Sequence, residues 1–399
     1  MTRHKKKKKL WLFLIPLLLL PVIAYAVIKP LYETRTAITL QPLTNPRPDV
    51  TLPENGESAV TIQGYKTVLT STNKDQLPTA STSKVITALM ILNKYPLDLN
   101  QQGPMLTMTA QDVNLYNSYL AAEGSVVKVE LGEQISEYQV LQAILLPSSC
   151  NMSDSAAIWA FGSLAAYNMY ATSTLKQWNI NDTVIGTDAS GLSPTTTSSP
   201  SDLIKVGKLA LNNPVLAQIV NQKTAIIPVQ GMIKNVNILL GKNGIIGIKT
   251  GNNNEDTGAY LFASKNNIQG TNQTATVVGA VMDEPSLIEA MSNSIPIINS
   301  AISNITVIDY PATNQVVGYY SVPWSKSHYQ IIATQNYQHI LWDKTTLQPI
   351  IKTKKINYLT KKGTVVGAIS VNNHTQNLIL NQKIPRPSLV WEIKNIFKF

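Results

Sequence analysis

From Pro78 to Leu92 the sequence reads PTASTSKVITALMIL, a polar turn that passes into an apolar run with Lys84 at its head. Pro96 stops the run, so the pattern predicts a helix over Ser81–Tyr95. A lysine at the start of such a helix needs a reason, and Ser81 lies three residues before it. Positions i and i+3 share a helix face, so the two side chains can meet. A serine hydroxyl is a poor nucleophile until a neighbouring base removes its proton. A lysine can be that base when partial burial and nearby cations keep some of it neutral. The N–H of Ser81, at the helix start, is also placed to hold an oxyanion. The spacing alone is common: Ser173-Thr174-Leu175-Lys176 repeats it and reads as a helix surface.

Two further stretches raise its meaning. LLPSSCNMSDSAA places Ser149-Cys150-Asn151 directly after SEYQVLQAILL, a predicted helix over Ser136–Leu146. Ser136 and Gln139 form a capping box there, with Ile135 and Val140 at the staple positions. GIIGIKTGNNN places Lys249-Thr250-Gly251 at the end of a predicted strand. Ser-x-Asn recurs at Ser370-Val371-Asn372, whereas Lys-Thr-Gly occurs once. Ser-x-x-Lys, Ser-x-Asn and Lys-Thr-Gly in this order are the signature of penicillin-binding proteins and class A β-lactamases.

The surroundings resemble the low-molecular-mass penicillin-binding proteins, the D-alanyl-D-alanine carboxypeptidases of the S11 serine peptidase type. LPTASTSKVITAL is similar to that family's Pro-Ala-Ser-x-Thr-Lys helix start. ELGEQISEYQVLQAILLPSSCNMSDSAA resembles its second-motif block, and GTDASGLSPTTTSSPSDLIKVGKLAL its Gly-Leu loop and following helix. IGIKTGNNNEDTGAYLFAS resembles its Lys-Thr-Gly strand and turn. The resemblance spans about Ala59 to Asn304. It implies an α/β (α+β) transpeptidase-like domain, helices around an antiparallel sheet, followed by a small all-β domain.

On these positions the resemblance implies that Ser81 attacks the carbonyl between the two terminal D-alanines of a peptidoglycan stem peptide. Lys84 accepts its proton, Ser149 relays a proton to the leaving D-alanine, and Asn151 holds Lys84 and the substrate amide. Lys249 and Thr250 bind the terminal carboxylate, and Gly251 admits the substrate backbone close to the strand. The oxyanion hole uses the N–H groups of Ser81 and Asn252. β-Lactams are implied as covalent inhibitors, and no metal or organic cofactor is needed. Three departures stand out. Cys150 is uncommon inside Ser-x-Asn and reads as a small filler pointing away from the site. NMSDSAA stands where the family has Asn-Asp-Ala-Ala, and Asn252 where an aromatic or histidine is frequent. A Ser-His-Asp triad is excluded, because His4, His328, His339 and His374 all lie outside the motif-bearing region.

Other readings are weaker. A class A β-lactamase uses a glutamate between the second and third motifs, and no glutamate lies between Asn151 and Lys249. A transpeptidase would show a longer chain with an extra N-terminal module. A non-catalytic wall-binding protein would not need Ser81, Lys84, Ser149, Asn151 and Lys249 intact.

The remainder of the chain frames this region. MTRHKKKKK followed by an apolar run from Leu10 to Ile28 reads as an export segment in residues 1–30, with the lysines held in the cytoplasm. Ala24-Tyr25-Ala26 also fits a signal-peptidase site, so membrane anchor and cleaved signal both stand. Either one places the rest of the chain on the outer face of the cytoplasmic membrane. Residues 31–57 are rich in Pro, Thr and Asn and read as a linker with little structure. Residues 58–304 form the motif-bearing domain, and 305–399 a β domain of short β-branched and aromatic runs. PSLVWEIKNIFKF at the end reads as a last strand or a short amphipathic segment packed on that domain. The net charge of +10 is uneven: +6 comes from the first nine residues and +8 from 305–399, which leaves −4 between them. Nucleic-acid binding would require basic residues on the main folded unit, so the charge excludes it. A basic tail facing an anionic polymer or lipid surface fits better. One cysteine in 399 residues permits no internal disulfide.

Overall fold

The computed structural model describes residues 34–71, 76–252 and 257–396. The apolar run Leu10–Ile28 lies outside these residues. Among the described residues no helix is long and apolar enough to cross a membrane.

The chain divides into two compact units, residues 47–305 and a second formed by residues 34–46 together with 306–396. The second unit therefore claims part of the expected linker. Strand β1 (Arg35–Ile38) pairs antiparallel with residues 316–321, from Arg35 opposite Ser321 to Ile38 opposite Gly318. Leu43–Thr44 pairs with Thr346–Leu347, and Asn45 Nδ2 donates to Asp343 O at 2.9 Å. Local composition misses this because the partner strand is almost three hundred residues away in sequence. An extended polar segment becomes ordered once an edge accepts its backbone hydrogen bonds.

The larger unit centres on a five-stranded antiparallel sheet. Its strands are β2 (Glu57–Ile62), β3 (Leu69–Thr70), β4 (Ile245–Asn252), β5 (Gly258–Asn267) and β6 (Thr274–Glu284), in the order β4-β5-β6-β2-β3. All six residues of β2 and the first seven of β5 are buried, so the sheet is covered on both faces. Among the described residues β4 lies at the edge of the sheet and pairs only with β5.

The helices follow the sequence pattern closely. α1 (Lys84–Lys94) is buried from Lys84 to Leu92, the signature of a central helix rather than a surface one. α2 (Ala110–Ala121) was not expected. Its Thr109–Asp112 capping box is present, but no residue along it is buried, so it lacks the apolar period that reveals a helix. α3 (Glu137–Leu145) starts at Ser136, whose box with Gln139 closes as the sequence predicts. α4 (Cys150–Phe161) ends at Gly162, and Ser163 caps α5 (Leu164–Gln177). α6 (Pro200–Asn212), α7 (Pro214–Val220) and α8 (Leu287–Ser303) complete the unit. Residues of α1, α3 and α4 such as Ile86, Met90, Leu141, Ile144, Met152 and Ala156 share one buried apolar core.

The second unit carries a six-stranded antiparallel sheet. To β1 it adds β7 (Val316–Ser321), β8 (His328–Ala333), β9 (Pro349–Thr353), β10 (Val365–Val371) and β11 (His374–Leu380), ordered β1-β7-β8-β11-β10-β9. Val317, Tyr320, Ile331, Val366, Ile369 and Leu378 supply its core. The terminal segment is a helix, α9 (Leu389–Ile396), with Trp391 edge-on to Trp324 at 5.7 Å.

Candidate active site

The turn that carries Ser81 departs from a plain helix start. Ala80 has a φ of 45°, in the left-handed region, and Ala80–Ser83 forms a 3-10 turn before α1 begins at Lys84. In 3-10 geometry side chains three apart eclipse one another. Lys84 Nζ accordingly donates to Ser81 Oγ at 2.8 Å. Thr82 Oγ1 bonds to Thr79 O at 2.7 Å and Ser83 Oγ to Ala80 O at 3.1 Å, which ties the turn down. Thr82, Ser83 and Lys84 are buried, whereas Ser81 is half-buried. The site thus offers one reachable hydroxyl backed by a sequestered amine.

Lys84 Nζ has two further neighbours. It donates to Ser190 O at 2.8 Å and faces Cys150 Sγ at 3.5 Å. No carboxylate forms an ion pair with it among the described residues. Ser190 belongs to the Gly191-Leu192 loop, where no residue was expected at the site. Asp188 shapes that loop by accepting from the N–H groups of Gly191 at 2.8 Å and Ser193 at 2.9 Å. Gly191 has a φ of 70°, and a Cβ there would collide with Ala80 O and Ser83 Oγ, so only glycine lets the loop close on the Ser81 turn. Beneath it, Asp154 Oδ1 accepts from Ala189 N at 2.8 Å and Oδ2 from Tyr119 Oη at 2.6 Å. Burial pushes the Asp154 carboxyl up to about 6, with Asp188 adding to the rise and the two hydrogen bonds and Lys84 opposing it. The signal for Asp154 was present in the sequence as the first acid after the second motif.

The second motif differs from its expected arrangement. Ser149 is fully buried as the N-cap of α4: its Oγ accepts from Met152 N at 3.3 Å and donates to Asn151 Oδ1 at 2.7 Å. Asn151 also accepts from Val127 N at 3.0 Å and donates to Val127 O at 2.9 Å. The bonds of its amide go to Val127 and Ser149 and none to Lys84, and the Ser149 hydroxyl is spent on the helix start. Cys150 does not point away from the site: its thiol lies 3.5 Å from Lys84 Nζ. The physical reason is the helix start itself, because an N-cap side chain must fold back over its own first turn.

The third motif lies where expected. Lys249, Thr250 and Gly251 are buried on β4, with Thr250 opposite Tyr260 of β5, and Asn252 is exposed at the strand end. Lys249 Nζ donates to Thr250 O at 2.9 Å. Burial holds the Lys249 ammonium well below the ordinary lysine range, and the Lys84 charge lowers it further against an opposing pull from Cys150. The two lysines and the thiol therefore share one electrostatic environment. A Cβ on Gly251 would sit 3.2 Å from Thr79 O, Ala80 Cβ and Ala259 Cβ. Its small size admits the Ser81 turn against the strand, a different close approach from the substrate contact expected. The Ser-x-x-Lys copy at Ser173 lies on α5 with Ser173 and Lys176 exposed, and Ser370-Val371-Asn372 falls in the second unit, as do the described histidines.

Comparison with known proteins bears on family and fold. Residues 54–285 match the family model for S11 peptidases, described as D-alanyl-D-alanine carboxypeptidase. No curated protein gives a significant match. Among solved structures, the DD-transpeptidase of Streptomyces K15 superposes with a TM-score of 0.55 at 22% identity, covering 64% of this chain and 98% of its own. Penicillin-binding protein 5 from Haemophilus influenzae gives a TM-score of 0.58 at 15% identity, covering 84% and 99% respectively. Both have the fold found here.

Proposed function

Since the chain belongs to the S11 family of D-alanyl-D-alanine carboxypeptidases, which are serine hydrolases, we propose that it releases the terminal D-alanine of peptidoglycan stem peptides through an acyl-enzyme on Ser81. The observation that carries this is the 2.8 Å approach of Lys84 Nζ to the half-buried Ser81 hydroxyl. Ser81 Oγ attacks the carbonyl carbon as Lys84 Nζ takes its proton. The tetrahedral oxyanion is met by the N–H groups of Ser81 and Asn252. Collapse breaks the C–N bond, and the departing D-alanine amine must gain a proton as it leaves. Water then hydrolyses the ester and leaves a stem peptide one residue shorter.

Lys249 and Thr250 are assigned to the substrate carboxylate. The unpaired edge of β4 supports this, since an extended peptide can add to it as a further strand. A carboxylate arriving beside Lys249 would also favour its charged form, which burial disfavours. We place the activity in cell-wall maturation on the outer face of the cytoplasmic membrane, reached through the basic and apolar N-terminal segment.

Fluorescent penicillin and a D-Ala-D-Ala pentapeptide test the assignment together. The expected result is a covalent adduct and released D-alanine, both abolished in Ser81→Ala. An adduct without released D-alanine would favour a non-catalytic wall-binding protein. Transfer to an added amine in place of water would favour a transpeptidase.

A further inference from the structure

The turn between α3 and α4 contains two adjacent serines, Ser148 and Ser149, and their surroundings differ sharply. We propose that Ser148 is the hydroxyl that protonates the leaving D-alanine, and that the Cys150 thiol is the α4 group that positions Lys84. The working residues are then Ser148 and Cys150, each one position earlier than the Ser149 and Asn151 that the Ser-x-Asn spelling suggests. This rests on the reading of Ser81 and Lys84 as the acylating pair.

Four observations support the earlier register. The Ser149 hydroxyl is fully buried and spends both its donor and an acceptor site inside α4. Asn151 has its amide bound to the Val127 backbone on both sides. Cys150 Sγ lies 3.5 Å from Lys84 Nζ, at the place the third motif residue was expected to fill. Ser148 is 6% exposed, yet its hydroxyl has no hydrogen-bond partner among the described residues.

Backbone geometry links Ser148 to Cys150. Ser149, with φ −62° and ψ 124°, separates the left-handed Ser148 from the helical Cys150. Ser149 turns its hydroxyl back onto the first turn of α4, while Cys150 presents its thiol to Lys84. Ser148, two residues before Cys150, is therefore the hydroxyl of this turn left free for a proton relay. Ser148 also adopts a φ of 66°. A serine held in the left-handed region is strained, and such strain gathers at functional positions. Ala80, beside the nucleophile, is strained in the same way.

The proton count closes. Lys84 as a neutral amine has two N–H donors, which match Ser190 O and Cys150 Sγ, and a lone pair for the Ser81 proton. After attack, Lys84 carries that proton as an ammonium. When the C–N bond breaks, the amine nitrogen takes the proton of Ser148 Oγ while Ser148 Oγ takes one from Lys84 Nζ. D-Alanine leaves with a neutral amine, the Ser148 hydroxyl is restored, and Lys84 is again neutral.

The full chain carrying single substitutions tests this by D-alanine release, penicillin labelling rate and thermal melting. Ser148→Gly removes the hydroxyl and relieves the left-handed strain. Release should fall about 100-fold or more, with melting unchanged or raised. Ser149→Ala should lower the melting temperature by loss of the cap, yet leave release per folded molecule within about threefold. Cys150→Ala should slow release about tenfold, and Cys150→Asn, which restores a polar partner for Lys84, should recover most of it. The register is overturned if Ser149→Ala abolishes release in folded protein while Ser148→Gly keeps it, or if Cys150→Ala matches the wild type. A wild type that takes no label would overturn instead the acyl-enzyme reading beneath it.

Discussion

The two units handle buried polarity in opposite ways. Residues 47–305 bury Lys84, Lys249, Glu137, Asp154 and Asp202, and none of these is in an ion pair except Asp202, which meets the half-exposed Lys205. Among the described residues the second unit buries no lysine, arginine, aspartate or glutamate; its buried polar residues are Asn45, His339 and Gln376. Backbone strain divides similarly. Among the described residues the second unit takes positive φ outside glycine only at Asn314 and Asn372, residues that tolerate it, whereas the larger unit does so at Ala80, Glu123, Ser148, Val229 and Asp283 as well as at asparagines. The larger unit accepts uncompensated charge and strain, in the turns that carry Ser81 and Cys150 and away from them. The smaller one, with +8 on its C-terminal stretch 305–399, keeps its charge at the surface.

The largest expected effect tests whether the buried amine is a cost to the fold. Lys84→Met keeps the length of the side chain and removes the amine. D-Alanine release should fall by at least about a thousandfold, because Ser81 loses its base. The protein should nevertheless become more stable by about 1–3 kcal/mol, the gain usual when a buried ionisable group gives way to an apolar side chain. Calorimetry resolving the two units would show the rise in the larger one alone. A variant that is both inactive and less stable would show that Lys84 also holds the site together, through Ser190 O and Cys150.

A smaller effect concerns a charge far from the chemistry. Glu137, at the first position of α3, is buried with neither carboxylate oxygen bonded. Burial pushes its pKa up to about 7. In the unfolded chain the group ionises near its ordinary value of 4.5. The fold therefore loses stability as pH rises from about 4.5 to about 7, where the unfolded chain has released the proton and the fold resists doing so. Glu137→Gln should match the wild type at pH 4 and exceed it by about 1–2 kcal/mol at pH 8, after allowing for residual solvation. Equal melting temperatures at both values would mean the carboxylate finds a partner.

What the sequence made legible follows the same division. Ser81, Lys84 and Lys249 were readable because each sits at the end of a strongly patterned element, α1 or β4, whose apolar residues fix its register. The box at Ser136–Gln139 was readable because it is local. The register within Pro147-Ser148-Ser149-Cys150-Asn151 was not, since both serines and both possible partners fit the spelling; their hydrogen bonds and the Cys150–Lys84 contact are tertiary facts that the spelling does not carry. Ser190 was hidden for another reason: it contributes a carbonyl, which every residue has. β1 was hidden because its pairing partner is remote in sequence.

The smallest expected effect compares strain directly. Glycine occupies the left-handed region without the Cβ penalty, which for an alanine amounts to about 1–2 kcal/mol. Ala80→Gly should therefore raise the stability of the larger unit by up to about 1 kcal/mol, reduced by the entropy glycine loses on folding. Asn372→Gly in the second unit should change stability by only a few tenths of a kcal/mol, since asparagine already accepts that conformation. The functional consequence should differ as well. A flexible residue 80 lets the Ser81 turn sample other geometries, so penicillin labelling should slow several-fold in Ala80→Gly and not at all in Asn372→Gly. If Ala80→Gly labels at the wild-type rate while melting higher, the strain beside the nucleophile serves packing against Gly191 and Gly251 and has no part in aiming the hydroxyl.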